Sequence, residues 1–280
     1  MYMNFRSLQG VPVSTLAATF NRAFSDYVVP FQLTETQLQN KLISDGVRLD
    51  LSAGAFEQDE LVGFILHGYD VVDGEPVAYN AGTGVIPEKR GQKLTARLYD
   101  FILPELKNAG IQSVQLEVIS SNQVAFNTYR KTGFEVAREL DCYKGMVTAQ
   151  PQGGFEIRSL ETYDWPLLQS FRDWQPSWQN SVTAVENVRA GNISLGAWEG
   201  TSLAGYLIYN PVSNRVQQFA VHPRFRRKGA GTQLFAHTAQ LANKELVLIN
   251  VDHGAMATAG FLQHLGLQQY ILQFEMRLAL

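Results

Sequence analysis

The sequence predicts an α/β fold of two tandem domains, each with a mixed central sheet flanked by helices. Three observations predict it. The chain has 280 residues, which is enough for two domains of ordinary size. Residues 52–64 and 194–206 share one ungapped pattern, in which Ser, Gly, Ala, Glu, Leu and Gly recur at matching steps. Segments with strand and helix periodicity then follow in the same order in both halves, which is the signature of a repeated domain.

Further anchors recur in the same order along both halves. They are residues 6–8 with 158–160, residues 87–90 with 223–226, and residues 133–134 with 266–267. We therefore expect one domain over residues 1–146 and a second over 155–280. The polar residues, Pro and paired Gly of residues 147–154 predict a linker between them.

Helices and strands of the first half follow from apolar spacing. Thr34 to Gln37 is a capping-box pattern that opens a helix, and Gly133 is placed to end one as a C-cap. The predicted helices are residues 16–24, the helix opened at Thr34, residues 95–107 and residues 123–131. The predicted strands are residues 53–56, 61–66, 77–85 and 114–118, and a segment that begins at Phe134.

The second half repeats this order. Its predicted strands are residues 194–198, 203–209, 216–221, 246–251 and 272–280. Its predicted helices are residues 231–243 and a short helix over residues 261–265.

Composition limits the class of protein. A net charge of −3 with 18% charged residues does not favour general binding of nucleic acid or of an anionic membrane. No apolar stretch reaches the roughly 18 residues that span a bilayer, and Met1 to Arg6 does not begin a secretory signal.

Cys142 is the only cysteine, so we expect a reducing, cytoplasmic location. The histidines lack metal-ligand spacing, so we expect no metal. The sequence does not fix the oligomeric state.

One junction in the second half has the composition of an anion-binding turn. A strand ends at Val221, a basic turn follows over residues 224–228, and a helix begins near Gly231. A helix N-terminus presents unpaired N–H groups and the positive end of its dipole, and glycine lets a phosphate approach that backbone closely. The turn would suit a pyrophosphate, and a solvated basic loop is the alternative.

Residues 226–231, which read Arg-x-x-Gly-x-Gly, resemble the pyrophosphate loop of the GNAT family of acetyl-CoA-dependent N-acetyltransferases. The family pattern is Arg/Gln-x-x-Gly-x-Gly/Ala after a strand that ends in Val-x-Pro. The first half has the same frame from Val85 to Arg90, but Lys93 and Thr95 stand where glycines are usual. Residues 122–134 of the first half are similar to the family's Asn-x-x-Ala-x-x-x-Tyr-x-x-x-Gly-Phe. The resemblance covers nearly the whole chain.

The resemblance implies two tandem acyl-CoA N-acyltransferase domains and acetyl-CoA as the cofactor. The pantetheine arm would lie between central strands that splay apart, and Tyr129 would protonate the departing thiolate as a general acid. The residues that it places against the cofactor are Thr83, Gly84, Val85, Arg90, Gly91, Gln92, Lys93, Leu94, Thr95 and Asn122 in the first half, and Phe219, Ala220, Val221, Arg226, Arg227, Lys228, Gly229, Ala230, Gly231 and Thr232 in the second.

The two halves diverge at the acid. Counting back from Gly266 as from Gly133, Leu262 takes the place of Tyr129. A loop built on backbone N–H groups tolerates Lys or Thr in place of Gly if φ is negative there, whereas Leu has no proton to give. We therefore expect the chemistry in the first half. His253 or Asp252 could replace the acid in the second half, and the alternative is that both are turn residues.

The general base is less constrained by sequence. The strand before the first-half loop has no carboxylate, so Glu117 on the next strand is the remaining candidate, although it fits an ordinary polar strand face equally well. Deprotonation through ordered water would need no dedicated residue. Trp165, Trp174 and Trp178 lie where the family walls its acceptor cleft, and they could equally belong to the core.

The expected function is transfer of an acetyl group from acetyl-CoA to a primary amine by direct attack in a ternary complex. The acceptor could be a small molecule or a peptide. The alternative is a non-catalytic acyl-CoA-binding or sensory protein, which Leu262 favours for the second half.

Overall fold

The computed structural model describes residues 3–26, 32–150 and 153–280, so residues 151 and 152 of the predicted linker lie outside the described residues. Its contacts divide the chain into two units. The first is Met1–Ala137 with Phe274–Leu280, and the second is Arg138–Gln273. The units do not end at the predicted linker, because each sheet takes its last strand from the other sequence repeat.

The first unit is a mixed sheet with helices on both faces. Its elements are β1 Met3–Ser7, α1 Val13–Ala23, α2 Glu35–Ser44, β2 Ala53–Glu57, β3 Glu60–Val72, β4 Glu75–Val85, α3 Leu94–Asn108, β5 Ser113–Ile119 and α4 Gln123–Thr132. The strand order is β1-β2-β3-β4-β5, and the C-terminal part of β12 (Gln268–Ala279) follows β5. Neighbouring residues of β3 face opposite sides. Phe64 stacks on Phe20 of α1 with ring centroids 5.7 Å apart, and Ile65 packs in the core that contains Leu98 of α3.

The second unit has the same strand order. Its elements are β6 Glu135–Gly145 (from Arg138 onward), β7 Glu156–Ser159, α5 Trp165–Ser170, α6 Val182–Asn187, β8 Ile193–Glu199, β9 Ser202–Asn210, β10 Arg215–Val221, α7 Ala230–Ala242, β11 Leu246–Asp252 and α8 Met256–His264. The order is β7-β8-β9-β10-β11-β6, so β6 takes the place that β12 has in the first unit.

Most predicted elements agree with the structure, and both predicted caps are confirmed. Thr34 Oγ1 accepts from Gln37 N at 3.2 Å while Gln37 Oε1 accepts from Thr34 N at 2.9 Å, and Gly133 has φ +106°. The predicted short helix over 261–265 is wrong in extent, because α8 begins at Met256. The first turns of α8 consist of small residues and of Met256, whose side chain is 72% exposed. They therefore show no apolar periodicity in the sequence.

The two parallel central strands separate in both sheets. Within the described residues, β4 pairs with β5 only from Val77 to Tyr79, and β10 pairs with β11 only at Arg215. A bulge interrupts each strand at an equivalent position, at Ala81 in β4 and at Gln217 in β10. A bulge bends its strand and ends regular pairing, so a gap opens beyond this point in each sheet.

Three features of composition can be compared with the structure. In residues 3–26, 32–150 and 153–280, no helix is both long enough and apolar enough to cross a membrane. Over the same residues, no three His, Cys, Asp or Glu side chains gather to hold a metal ion. Cys142 is buried, and its Sγ accepts from Gln273 Nε2 at 3.4 Å.

His67 on β3 should make stability fall in mild acid. It is fully buried, its Nδ1 lies 2.9 Å from Leu51 O, and burial lowers its pKa to about 4. Between pH 6.5 and 4 the unfolded chain binds a proton that the folded protein excludes. The free energy of unfolding therefore decreases as the pH is lowered through this window, by up to about 1.4 kcal/mol per pH unit.

We expect His67→Gln to flatten this dependence in urea denaturation at several pH values between 7 and 4. His264→Gln, at an exposed histidine, is the matched control and should retain the wild-type slope. An unchanged slope in His67→Gln would assign the acid sensitivity to other groups.

Candidate functional site

The second unit contains a cavity of about 1070 Å³ between the separated strands and the loop that precedes α7. Val216 to Val221 of β10 line one side, and Leu248, Ile249 and Val251 of β11 line the other. The second-half residues predicted to contact acetyl-CoA all line this cavity. They are Phe219, Ala220, Val221, Arg226, Arg227, Lys228, Gly229, Ala230, Gly231 and Thr232.

The loop at the mouth of the cavity has the geometry of an anion site. Arg227 and Gly229 both have left-handed backbones, with φ +61° and +93°, and α7 begins at Ala230. The first N–H groups of α7 have no helical carbonyl to bond, and the helix dipole is positive there. The side chains of Arg227 and Lys228 are exposed beside these groups. This end of the cavity can therefore hold a phosphate.

Arg226 holds the loop in place. Its Nε donates to Val221 O at 3.0 Å, its Nη2 donates to Phe171 O at 2.9 Å, and its Nη1 pairs with Asp173 Oδ1 at 2.8 Å. These bonds join the loop to the end of β10 and to the segment after α5. The Arg226 side chain therefore positions the loop backbone.

Arg90 makes the matching contacts in the first unit. Its Nε donates to Val85 O at 3.2 Å, its Nη2 donates to Ala23 O at 2.8 Å, and its Nη1 pairs with Asp26 at 2.6 Å. Sequence reasoning missed both Asp partners, which lie in irregular segments, although each follows its repeat's helical region. The Arg of the motif is a structural clamp in both repeats.

The first-unit loop follows the same backbone path in spite of its different side chains. Gly91 has φ +78° and Lys93 has φ +57°, which match the left-handed residues Arg227 and Gly229. The expectation that φ is negative at Lys93 is therefore wrong. Lys at this position lowers the stability of the loop by roughly 1–2 kcal/mol relative to Gly. Thr95 lies inside α3, where the right-handed helical backbone does not itself require Gly.

Aromatic rings form the inner wall of the second-unit cavity. Phe219 lies with its ring centroid 4.9 Å from that of Phe235 and 6.1 Å from that of Phe261. Gly231 makes room for this wall, because a Cβ at that position would lie 2.9 Å from Phe261 Cζ. The packing of this wall thus favours glycine at this position of the motif.

The first unit has polar residues at the equivalent positions. Asn80 Nδ2 donates to Thr83 Oγ1 at 2.8 Å and bonds the Tyr99 hydroxyl at 2.6 Å. Counting from the matched residues 87–90 and 223–226, Asn80, Thr83 and Tyr99 correspond to Val216, Phe219 and Phe235 of the second unit. Burial raises the pKa of Tyr99 well above its ordinary value. A buried polar network is stable only when every member has a hydrogen-bond partner. The three positions are therefore all polar or aromatic-hydroxyl in the first unit and all apolar in the second.

Tyr129 lies on α4 beside this network. It is buried, and its ring packs edge-on against Tyr99 with centroids 6.2 Å apart and against Phe134 at 5.8 Å. Asn122 caps α4, since its Oδ1 accepts from Ala125 N at 3.1 Å. The cap and the aromatic contacts fix the position of the Tyr129 side chain.

Glu117 lies on β5 of the same unit in an environment that favours its protonated form. Its Oε2 accepts from the Tyr79 hydroxyl, and its Oε1 is buried with no partner among the described residues. Burial, helped by the negative charges of Glu275 and Asp45, raises the pKa of Glu117 to about 8, although the Tyr79 hydrogen bond and Lys41 act in the opposite direction. Glu117 therefore becomes able to accept a proton as the pH rises through about 8.

Asp252 and His253 do not line the cavity. Asp252 Oδ1 accepts from Gly254 N at 2.9 Å, and its Oδ2 pairs with Arg138 at 3.2 Å. His253 Nδ1 lies 3.0 Å from Oδ2 of the buried Asp141. These contacts favour the interpretation of both as residues that order the strand end.

The three tryptophans have different surroundings. Trp174 lines the cavity, Trp178 is buried, and Trp165 Nε1 donates to Glu186 at 2.6 Å. Of the three, Trp174 is the one placed to contact a ligand.

Sequence reasoning missed a polar network inside the cavity. Arg172 donates to Gln218 Oε1 at 2.6 Å and to the Tyr206 hydroxyl at 3.2 Å, and Gln218 Nε2 donates to Asn180 O at 2.6 Å. The buried Oε1 of Gln217 has no partner within the described part of the chain. Arg172 lies in an irregular segment and Asn180 in a short 3-10 helix, so no periodic signal marked them.

Comparisons with known proteins agree with this architecture. A tandem GNAT protein from the clavulanic acid biosynthesis pathway is 14% identical over 99% of this chain and 98% of its own, with a TM-score of 0.72. A GCN5-related N-acetyltransferase from Sphaerobacter thermophilus is 13% identical over 99% of this chain and 95% of its own, with a TM-score of 0.68. At such identities the likeness shows the fold alone.

Sequence comparisons identify the family. N-alpha-acetyltransferase 30 of Schizosaccharomyces pombe is 30% identical over 86 residues, which are 30% of this chain and 57% of that protein. The chain thus spans a little over half the length of this curated relative. The model of the acetyltransferase (GNAT) family matches twice, at residues 16–134 and 158–267. The chain therefore belongs to the acetyltransferase (GNAT) family, with one family domain in each sequence repeat.

Proposed function

We propose that the protein transfers an acetyl group from acetyl-CoA to a primary amine by direct attack in a ternary complex, with the chemistry in the first unit. One paired observation carries this proposal. The first unit has both a buried Tyr129 and the carboxyl of Glu117, whose pKa is raised to about 8. Counting from the matched Gly133 and Gly266, Leu262 and Asn250 take the places of Tyr129 and Glu117 in the second unit, and neither side chain can serve as an acid or a base.

The two side chains have complementary roles in this reaction. The thioester supplies an activated acetyl group, and the amine must lose a proton before it attacks the carbonyl carbon. Glu117 accepts that proton, because a carboxyl with a pKa near 8 is a better match to an alkylammonium than an ordinary carboxyl. As the carbon–sulfur bond breaks, Tyr129 donates its phenolic proton to the departing thiolate.

The loops and strands of both units would bind the cofactor. In the second unit the first-turn N–H groups of α7, with Arg227 and Lys228, would hold the pyrophosphate, and Phe219 to Val221 would face the pantetheine arm. In the first unit residues 90–95 and 83–85 would do the same, and Asn122 would act through its cap on α4. Arg90 and Arg226 would contribute by clamping their loops.

A second candidate function has support from the second unit. That unit combines a cavity of about 1070 Å³ with the absence of Tyr and Glu at the two reactive positions. A non-catalytic acyl-CoA-binding or sensory role would need the cavity and neither side chain. This role is compatible with catalysis in the first unit.

The acceptor is proposed as a primary amine on a small molecule or a peptide. The name of the fission yeast relative supports including peptide N-termini among the acceptors tested. The single buried cysteine favours a cytoplasmic location.

Release of free thiol from acetyl-CoA, measured against a library of small amines, amino acids and peptides, tests the proposal. We expect amine-dependent thiol release in wild type and its loss in Tyr129→Phe. Acetyl-CoA binding by calorimetry without thiol release for any amine would instead support the non-catalytic role.

A further inference from the structure

A second carboxyl group lies beside Glu117, and the last strand of the chain supplies it. Glu275 is 7% exposed on the part of β12 that belongs to the first unit. Leu280 N donates to Gln112 O at 2.9 Å, and Arg277 Nε donates to Ser113 Oγ at 3.2 Å, so β12 runs antiparallel to β5. This pairing brings Glu275 of β12 next to β5, close enough for its charge to act on Glu117.

The second unit shows the same pair of positions with different side chains. Unbroken spacing from Gly133 and Gly266 makes Asn250 the counterpart of Glu117, and Cys142 the counterpart of Glu275. There, Cys142 Sγ lies 3.9 Å from Asn250 Oδ1 across β6 and β11. The two positions therefore face each other in that sheet, and they carry neutral groups where the first unit carries two acids.

Among the residues that the structure describes, the other groups that act on the charge of Glu117 come from β4 and from α2 with its C-terminal end. Tyr79 of β4 donates its hydroxyl to Glu117, which favours the ionised form. Lys41 of α2 and Asp45 at its end form an ion pair at 2.5 Å, and their effects on Glu117 oppose each other. Glu275 adds a negative charge that acts with burial to disfavour ionisation of Glu117.

We propose that Glu275 is a positioning residue for the base Glu117, and that its carboxylate keeps Glu117 protonated until the pH range in which the amine is acetylated. This inference rests on the proposed function. A carboxylate forced to ionise beside another carboxylate is a stronger base than a lone one. The last strand of the second sequence repeat thus tunes the proton acceptor of the first unit.

The pH profile of kcat/KM tests the role of Glu275. In wild type we expect the acidic limb to rise through about pH 8, where Glu117 ionises. Glu275→Gln should move this limb to lower pH by about one pH unit, because a like charge is removed. Glu275→Asp keeps the charge and should keep the limb near its wild-type position. Cys142→Ser, at the counterpart in the second unit, should not move it.

An infrared titration separates this inference from the proposed reaction. The carboxylic acid band of Glu117, assigned by its loss in Glu117→Gln, should disappear near pH 8 in wild type and at lower pH in Glu275→Gln. This readout needs no turnover, so it holds even if no amine is acetylated. If this band disappears at the same pH in Glu275→Gln as in wild type, the inference is wrong. A lower acetylation rate in Glu275→Gln would not by itself support it.

Discussion

Replacing Tyr129 with Phe is expected to lower kcat by roughly 10²–10⁴-fold, which is the usual contribution of a general acid. The phenolic hydroxyl is the proton donor that the motif places on α4, whereas the ring supplies the packing. Phe keeps the edge-on contacts with Tyr99 and Phe134, so the free energy of unfolding should change little. Single-turnover and steady-state thiol release, with denaturation of the same samples, measure the two effects.

Tyr99→Phe is the matched control for this substitution. It removes another buried hydroxyl from the same ring cluster and leaves Asn80 without that partner, so stability should fall by about 1 kcal/mol. Turnover should fall far less than in Tyr129→Phe, because Tyr99 has no assigned proton to transfer. Wild-type turnover in Tyr129→Phe would exclude it as the acid and would direct attention to the second unit.

The repeat made most of the fold predictable from sequence. Strand and helix periods depend on local spacing, so β10 and α7 agree with their predicted bounds to within a residue or two. Every second-half residue that the resemblance assigns to the cofactor lines the cavity. Both results follow from local patterns, which a single sequence displays.

Features that depend on distant residues were not predictable. A strand has the same alternation whichever sheet it joins, so the sequence could not show that residues 274–280 complete the first unit. The environment of Glu117 follows from this, since Glu275 reaches it through that strand. The clamps at Arg90 and Arg226 depend on Asp26 and Asp173, whose positions are fixed by tertiary packing. The positive φ of Lys93 likewise depends on the path of the folded loop, which local spacing does not show.

The double charge reversal Arg227→Glu with Lys228→Glu is expected to weaken CoA binding to the second unit by roughly 10²-fold. Both side chains are exposed beside the N-terminus of α7, and each charge-assisted bond to a phosphate contributes about 1.5 kcal/mol. Arg226 is left intact, because its guanidinium bonds Val221, Phe171 and Asp173 and its loss would disturb the loop itself.

Isothermal calorimetry with CoA at two salt concentrations measures the affinity, the stoichiometry and the salt dependence of this variant. Binding to the second unit should weaken and become less sensitive to salt, because fewer protein charges face the phosphates. Lys93→Glu is the matched control, since it reverses a charge at the equivalent loop of the first unit and should leave the second-unit site unchanged. If the double variant binds CoA with wild-type affinity, stoichiometry and salt dependence, the pyrophosphate does not lie at this loop, and the cavity of the second unit must serve a different ligand.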